Sequence, residues 1–162
     1  MTVLTIRDVR SEDAAELADL LNAIIAQGGT TALETAFSAS YLDETYLTGP
    51  AVHCCFVAAN DNELLGFQTL VGERHLPEGC ADIATFTQID GTQKGVGSQL
   101  FKSTKERAKA LGLTSINACI RADNVGGLVF YSKQGFRDHS VDEAIPLNDG
   151  TPGDRINKRF SL

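Results

Sequence analysis

Basic charge is in short supply. The 162 residues carry 14 lysines and arginines against 21 aspartates and glutamates, a net charge of −7. That balance argues against a diffuse nucleic-acid-binding surface and leaves room only for a local basic site. Long apolar runs are missing too. No stretch approaches the roughly 20 residues of a membrane span, and the opening MTVLTIRDVRSEDAAEL lacks the basic region and apolar core of a secretion signal. Neither nucleic acid nor a membrane is therefore expected as a partner. The four cysteines, Cys54, Cys55, Cys80 and Cys119, form no CxxC pair and have no histidine at zinc spacing, so no metal is expected. They read as reduced, mostly buried small hydrophobes of a cytoplasmic protein. Repeats, low-complexity tracts and linkers are also absent. What remains is ordinary: 43% hydrophobic and 22% charged residues, in a length that suits one domain, 1–162, with a core.

Apolar and polar residues alternate from Val3 to Val9, the pattern of a first strand. Ser11 is placed to cap a helix, with Glu12 and Asp13 favouring its dipole and Leu17, Leu20, Leu21, Ile24 and Ile25 on its apolar face. Gly28-Gly29 stops it. After an aperiodic loop, a second helix is expected from Ser38 or Ser40 to Thr48. Val52–Ala59 and Leu64–Arg74 read as a hairpin turning at Asn60-Asp61-Asn62, and residues 81–89 as another strand. A long helix from Val96 to Leu111 follows, with Val96, Leu100, Arg107/Ala108 and Leu111 on one face and Gly112 as its end. Then come a strand at 115–120, a short helix at 124–134 closed by Gly135, a strand from Phe136 to Val141, a turn-rich loop and a last strand at 155–160. The order β-α-α-β-β-β-α-β-α-β-β mixes hairpins with crossovers and predicts an α/β fold with a mixed sheet.

Two stretches carry chemistry. Lys94-Gly95-Val96-Gly97-Ser98 lies between a strand and the long helix. A helix N-terminus offers unpaired N–H groups and a positive partial charge, and glycines let a pyrophosphate approach them. A strand–helix turn that merely needs glycine is the plainer reading. A P-loop is excluded because Ser98 follows Gly97 where a lysine is required, and a dinucleotide fingerprint because Leu100 replaces its third glycine. In the second stretch, RADNVGGLVFYSKQGF, Asn124 and Tyr131 fall near one face of a two-turn helix. A tyrosine hydroxyl suits protonation of a leaving thiolate, although Phe130 and Tyr131 also read as core aromatics.

Together, QKGVG, the long helix, a strand and N…FYSKQGF resemble the GCN5-related N-acetyltransferase (GNAT) superfamily over most of the chain. The resemblance implies a mixed, mostly antiparallel sheet of about seven strands flanked by about four helices. It implies acetyl-CoA as acetyl donor. The family's Arg/Gln-x-x-Gly-x-Gly/Ala motif falls on Thr92 to Gly97; Thr92 departs from it, with Gln93 and Lys94 as polar neighbours that compensate. Cofactor contacts carried over are Phe86 and Thr87 on the splayed strand, Gln93, Lys94, Gly95, Val96, Gly97 and Ser98 at the turn, then Asn124 and Lys133. Tyr131 matches the general acid.

The segment LLNAIIAQGGTTALETAFSASYLDE is similar to that of phosphinothricin and methionine-sulfoximine acetyltransferases, which implies an amino acid or amino-acid analogue as the small-molecule amine. Their fourth strand opens with an acidic residue read as the general base, and Asp82 takes that place; a solvated strand edge is the alternative. Thr30, Thr31 and Glu34 lie in the loop expected to wall the acceptor pocket, and Arg74 is placed to pair a substrate carboxylate. His53 reads as structural, and Lys102 or Lys105 as able to reach a CoA phosphate. Competing acceptors are a polyamine, an aminoglycoside or a protein N-terminus; a non-catalytic acyl-CoA-binding module is the non-enzymatic rival. Many superfamily members dimerise, and the C-terminal strands are the expected surface for a homodimer.

Overall fold

The computed structural model describes residues 3–61, 63–91 and 93–162. Thr92, the departure from the glycine-turn motif, and Asn62 of the expected hairpin turn lie outside the described residues. Strands β1 (Thr5–Asp8), β2 (Val52–Ala59), β3 (Leu64–Val71), β4 (Cys80–Thr87), β5 (Ser115–Arg121), β6 (Arg137–Pro146) and β7 (Pro152–Ser161) alternate with helices α1 (Ala14–Gln27), α2 (Ala39–Leu42), α3 (Val96–Ala110) and α4 (Val125–Gln134) in the expected order. One seven-stranded sheet runs β1-β2-β3-β4-β5-β7-β6. Each neighbouring pair is antiparallel except β4 and β5. The single parallel pair is the one joined by the α3 crossover, while β2–β3, β3–β4 and β6–β7 follow one another directly and pair antiparallel; β1 pairs antiparallel with β2 across the long connection through α1 and α2.

Both faces of β2 and β3 are buried, which explains their near-continuous apolar runs. On one face, Leu17, Leu21 and Ile24 of α1 pack against Val57, Phe67 and Phe86. On the other, Val96, Leu100, Phe101 and Ala108 of α3 pack against Phe56, Leu70, Ile83 and Ile116. Leu17, Leu21 and Leu100 are fully buried, each stabilising the fold by about 1.5–3 kcal/mol before entropy is counted. No described helix is long and apolar enough to cross a membrane.

Three local expectations change. Ser11 does not cap α1: residues Ser11–Asp13 form a 3-10 turn, and the Asp13 carboxylate instead accepts the Arg10 N–H at 2.8 Å and binds Arg7. Leu111 leaves the apolar face of α3 because the helix ends at Ala110, and its side chain is half exposed. The second helical segment spans the expected residues but changes type: Ser38 caps α2 by accepting from the Tyr41 N–H, and the chain then widens into a π-helical turn over Asp43–Leu47. Of the cysteines, three are buried and Cys119 is exposed; all are free thiols.

Candidate active site

Parallel pairing of β4 with β5 runs only from Cys80↔Ser115 to Ile83↔Ala118, while β3 follows β4 as far as Gly66↔Thr87 and β7 follows β5 as far as Arg121↔Arg155. Each strand stays with its antiparallel partner, so the two part beyond Ile83. The result is a slot through the sheet, with one edge of Ala84–Thr87 left without a strand neighbour. A cavity of about 580 Å³ opens there, and Asp82, Thr85, Phe86, Thr87, Cys119 and Tyr131 are among its walls.

Asp82 and Tyr131 reach this cavity from opposite faces of the sheet. Alternation along β4 places Asp82 with Phe86, on the α1 side. Asn117, its cross-strand neighbour, donates to Asp82 Oδ1 at 3.0 Å and itself accepts from Arg159 Nε at 2.6 Å. Burial pushes the Asp82 carboxyl up to about 6, against the lowering effect of the Asn117 hydrogen bond. Tyr131 comes down from α4 on the other face, 7% exposed, with its hydroxyl 2.9 Å from Thr85 Oγ1. Burial pushes its pKa well above the ordinary tyrosine value, and the Thr85 hydrogen bond opposes that shift. At neutral pH it keeps its proton. The site therefore holds a carboxylate that accepts a proton readily and a phenol that has one to give.

The glycine turn lies at the foot of α3. Gly95 sits in the left-handed region, φ +79°, and a Cβ there would meet nothing within 4 Å; conformation rather than packing asks for glycine. Gly97 differs. Its Cβ would stand 2.8 Å from Phe130 Cε1, so this glycine lets α4 close onto the first turn of α3. The first intrahelical bond is Gln99 N–H to Gly95 O, 3.0 Å, which leaves the N–H groups of Val96, Gly97 and Ser98 outside the ladder. A helix N-terminus with free N–H groups suits a phosphate, and a strand edge without a neighbour suits an extended ligand; none of residues 93–98 is among the cavity walls.

Gln93 and Lys94 are exposed in the turn, Lys133 is exposed on α4, and Val96 is buried. Ser98 Oγ accepts from Gln134 Nε2 at 2.8 Å. Phe86, Thr87, Asn124, Thr30 and Thr31 all line the cavity. Asn124 also caps α4, accepting from the Gly127 N–H, and donates to the Thr30 carbonyl at 3.0 Å. Arg121 Nη1 donates to the Thr31 carbonyl at 3.2 Å. Glu34 stands outside the cavity wall, where its carboxylate accepts the Asn148 N–H from the β6–β7 turn at 3.0 Å. Segment 30–34 is thus pinned at three points across the cavity mouth. Arg74 is exposed in the β3–β4 connection and outside the cavity wall. Lys105 lies over the Phe101 and Phe160 rings, and His53 lies beside Gly72 on β2.

Arg121, Arg155, Tyr46 and Thr85 also line the cavity, as does Cys119, and the sequence marks none of them as a site residue. The alternation in Arg155-Ile156-Asn157-Lys158-Arg159 puts Arg155, Asn157 and Arg159 on one face, a period-two signal that was there to be read. Arg121 is committed to Asp123 at 2.8 Å. Arg155 forms no ion pair among the described residues.

A family model described as the acetyltransferase (GNAT) family matches residues 18–136. Over 78 residues the chain is 28% identical to the uncharacterized protein YxbD of Bacillus subtilis (strain 168), covering 48% of this chain and 46% of that protein. The chain thus spans about half the length of that curated relative. Its fold is similar to a GNAT superfamily phosphinothricin acetyltransferase from Sinorhizobium meliloti solved in complex with AcCoA, with a TM-score of 0.85 and 19% identity over 98% of this chain and 88% of that one. It is also similar to a ribosomal-protein-alanine N-acetyltransferase from Brucella melitensis, with a TM-score of 0.83 and 16% identity over 98% and 99% of the two chains. Matched over most of its length and folded accordingly from β1 to β7, the chain belongs to the GNAT acetyltransferase family.

Proposed function

We propose that the protein, a single catalytic domain over residues 1–162, transfers the acetyl group of acetyl-CoA to the primary amine of a small molecule, an amino acid or amino-acid analogue. The observation that carries this reading is the slot between β4 and β5, with Asp82 on one face of the sheet and Tyr131 on the other. Acetyl-CoA, when bound, supplies an activated acyl carbon as a thioester. The Val96, Gly97 and Ser98 N–H groups hold its pyrophosphate, aided by Gln93 and Lys94, and the open backbone edge at Phe86 and Thr87 holds the pantetheine arm. Asn124 and Lys133 border the same path. A strand N–H near Thr87 polarises the acyl carbonyl.

Asp82 takes the proton that the acceptor ammonium must lose before its nitrogen can attack. A free α-amino group needs little help near pH 8, and a carboxylate near 6 is ionised there. Tyr131 donates its phenolic proton to the departing thiolate from the opposite side. The acceptor wall supports an anionic group on the substrate: Arg155 presents a guanidinium without an ion pair among the described residues, suited to a carboxylate. Two cavity arginines disfavour a polyamine. Three buried free thiols suit a reducing, cytoplasmic compartment.

The test is thiol release from acetyl-CoA against phosphinothricin, methionine sulfoximine, free amino acids and polyamines, with Tyr131→Phe alongside. Turnover of a carboxylate-bearing amine that falls in the variant supports the reading. Turnover confined to polyamines refutes the acceptor class, and binding of acetyl-CoA without turnover of any amine refutes catalysis on this panel.

A further inference from the structure

Behind Asp82 the sheet carries a row of polar side chains that leads away from the cavity. Asn117 on β5 lies in register between Asp82 on β4 and Arg159 on β7. It is 1% exposed and, unlike Asp82, not among the cavity walls. Its Nδ2 donates to Asp82 Oδ1 at 3.0 Å and, at a longer 3.4 Å, to Asn157 Oδ1. Its Oδ1 accepts from Arg159 Nε at 2.6 Å. Asn157 is buried too, and its Nδ2 donates to Asp142 Oδ2 at 3.0 Å and Ser140 Oγ at 3.2 Å.

Chemistry fixes the direction of these bonds. An arginine has no acceptor, and an ionised carboxylate has no donor. Arg159 can therefore meet only the oxygen of the Asn117 amide, and the amide nitrogen must then face Asp82. Asp142 can meet only the nitrogen of the Asn157 amide, so the Asn157 oxygen faces Asn117. Turning the Asn117 amide round would set donor against donor at Arg159 and acceptor against acceptor at Asp82. Arg159 forms no ion pair among the described residues; the Asn117 oxygen is what it meets. Asp82 Oδ1 is thus held from behind, and Oδ2 has no hydrogen-bond partner among the described residues.

We infer that Asn117, fixed by Arg159 on one side and by Asn157 and Asp142 on the other, is a positioning residue that grips Asp82 Oδ1, keeps the carboxylate ionised and leaves Oδ2 for the acceptor ammonium. This rests on the reading of Asp82 as the base. An ammonium N–H bond breaks, its electron pair stays on nitrogen, and the proton passes to Oδ2. Oδ1 then becomes the carbonyl oxygen of the acid and still accepts from Asn117, so nothing behind the site has to move. Other ionisable groups around Asp82 are Glu73 and His75 in the β3–β4 connection, Tyr46 ahead of β2, Cys119 on β5 and Tyr131 on α4, with Arg121 and Arg155 on the cavity wall. Glu73 opposes ionisation of Asp82, and His75 and Arg159 favour it. Of all these groups, only Asp82 and Arg159 hydrogen-bond to Asn117 among the described residues.

Carbon-13 NMR of the aspartate carboxyls in the ligand-free protein follows Asp82 without any turnover, its signal assigned by its loss in Asp82→Asn. Asn117→Leu should raise the Asp82 titration midpoint by about one to two pH units, the worth of a hydrogen bond to a charged group. Arg159→Met leaves Asn117 in place but frees its amide, and should raise the midpoint as well; being a change at a partly buried position, it also covers a misfolded Asn117→Leu. The double variant should titrate close to Asn117→Leu alone, because Arg159 acts through the amide. In turnover, the acid limb of kcat/KM should move up with the NMR midpoint, lowering the rate at pH 7 about two- to tenfold, with the KM for acetyl-CoA unchanged. An Asp82 midpoint unmoved in either single variant, or a double variant that shows the full sum of the two shifts, overturns the positioning role. A midpoint that moves while the acid limb stays in place would instead overturn the reading of Asp82 as the base, a separate result from the NMR titration.

Discussion

Asp13, at the corner between β1 and α1, and Asp82, in the β4–β5 cleft, are both sheltered carboxylates, and their surroundings drive them in opposite directions. Asp13 accepts from Arg7 Nη1 and Nη2, each at 2.9 Å, and from the Arg10 N–H at 2.8 Å. The Arg7 hydrogen bonds hold its pKa below the usual carboxylate range against the effect of burial. Among the described residues Asp82 receives a single side-chain hydrogen bond, from Asn117, and burial raises it to about 6. The number of donors decides the outcome. Where charge is fully met, the carboxylate is a structural clamp; where it is undersupplied, the carboxylate is poised to take a proton.

Substitutions at the cleft are expected to cost activity and those at the corner stability. Tyr131→Phe heads the scale, with kcat for thiol release about 10²–10⁴-fold lower and little change in thermal midpoint. Asp82→Asn is expected to lose about 10²-fold. In wild type, kcat/KM falls as pH drops through about 6 and Asp82 takes up its proton; a pH–rate profile of the variant should lack that limb. The sign for stability is opposite. Because the folded protein binds this proton more tightly than the unfolded chain does, ionisation costs stability as pH rises from about 4 to about 6. Asp82→Asn should therefore unfold in denaturant at a midpoint equal to or above wild type at pH 7.

Asp13→Asn reverses the pattern. About 2–3 kcal/mol of unfolding free energy should be lost at pH 7, with turnover intact. Since the folded pKa of Asp13 is depressed, its contribution is present above about pH 4 and fades as pH falls further, so the two proteins should converge in acid. Arg155→Gln should raise the KM for a carboxylate-bearing acceptor about tenfold, the worth of one charge-assisted contact, and leave kcat nearly unchanged. Gly97→Ala is the smallest expected effect, about 1 kcal/mol from overpacking against Phe130. A double-mutant cycle with Phe130→Leu should recover part of it.

The apolar skeleton was legible because periodicity reports burial. Strand β2 begins and ends where its apolar run does, and α3 starts at the glycine turn. Element ends were less legible: Ser11 has the chemistry of a cap, but Asp13 is drawn away by Arg7, six positions back, a tertiary pairing that no local rule contains. Within the cleft, motif spacing brought Tyr131, the glycine turn and the β4 strand to notice. It was silent about Asn117 and Arg155, whose neighbours are remote in sequence: Asp82 lies 35 positions from Asn117, and Arg155 meets Arg121 only through the β5–β7 register. Gly97 shows a further limit, since the sequence points to a ligand where the structure also shows an aromatic ring.

The pins on segment 30–34 join residues 90, 94 and 114 positions apart. Contacts so distant carry the largest loop-closure cost and form late in folding. A chain emerging from the ribosome can bury α1 against the β2–β3 hairpin early, but it cannot fix the rim of the acceptor cavity until the turn before β7 has been made. The cavity mouth is thus assembled only once that turn exists, and a chain cut short before it would have a core before it has a finished place to bind an amine.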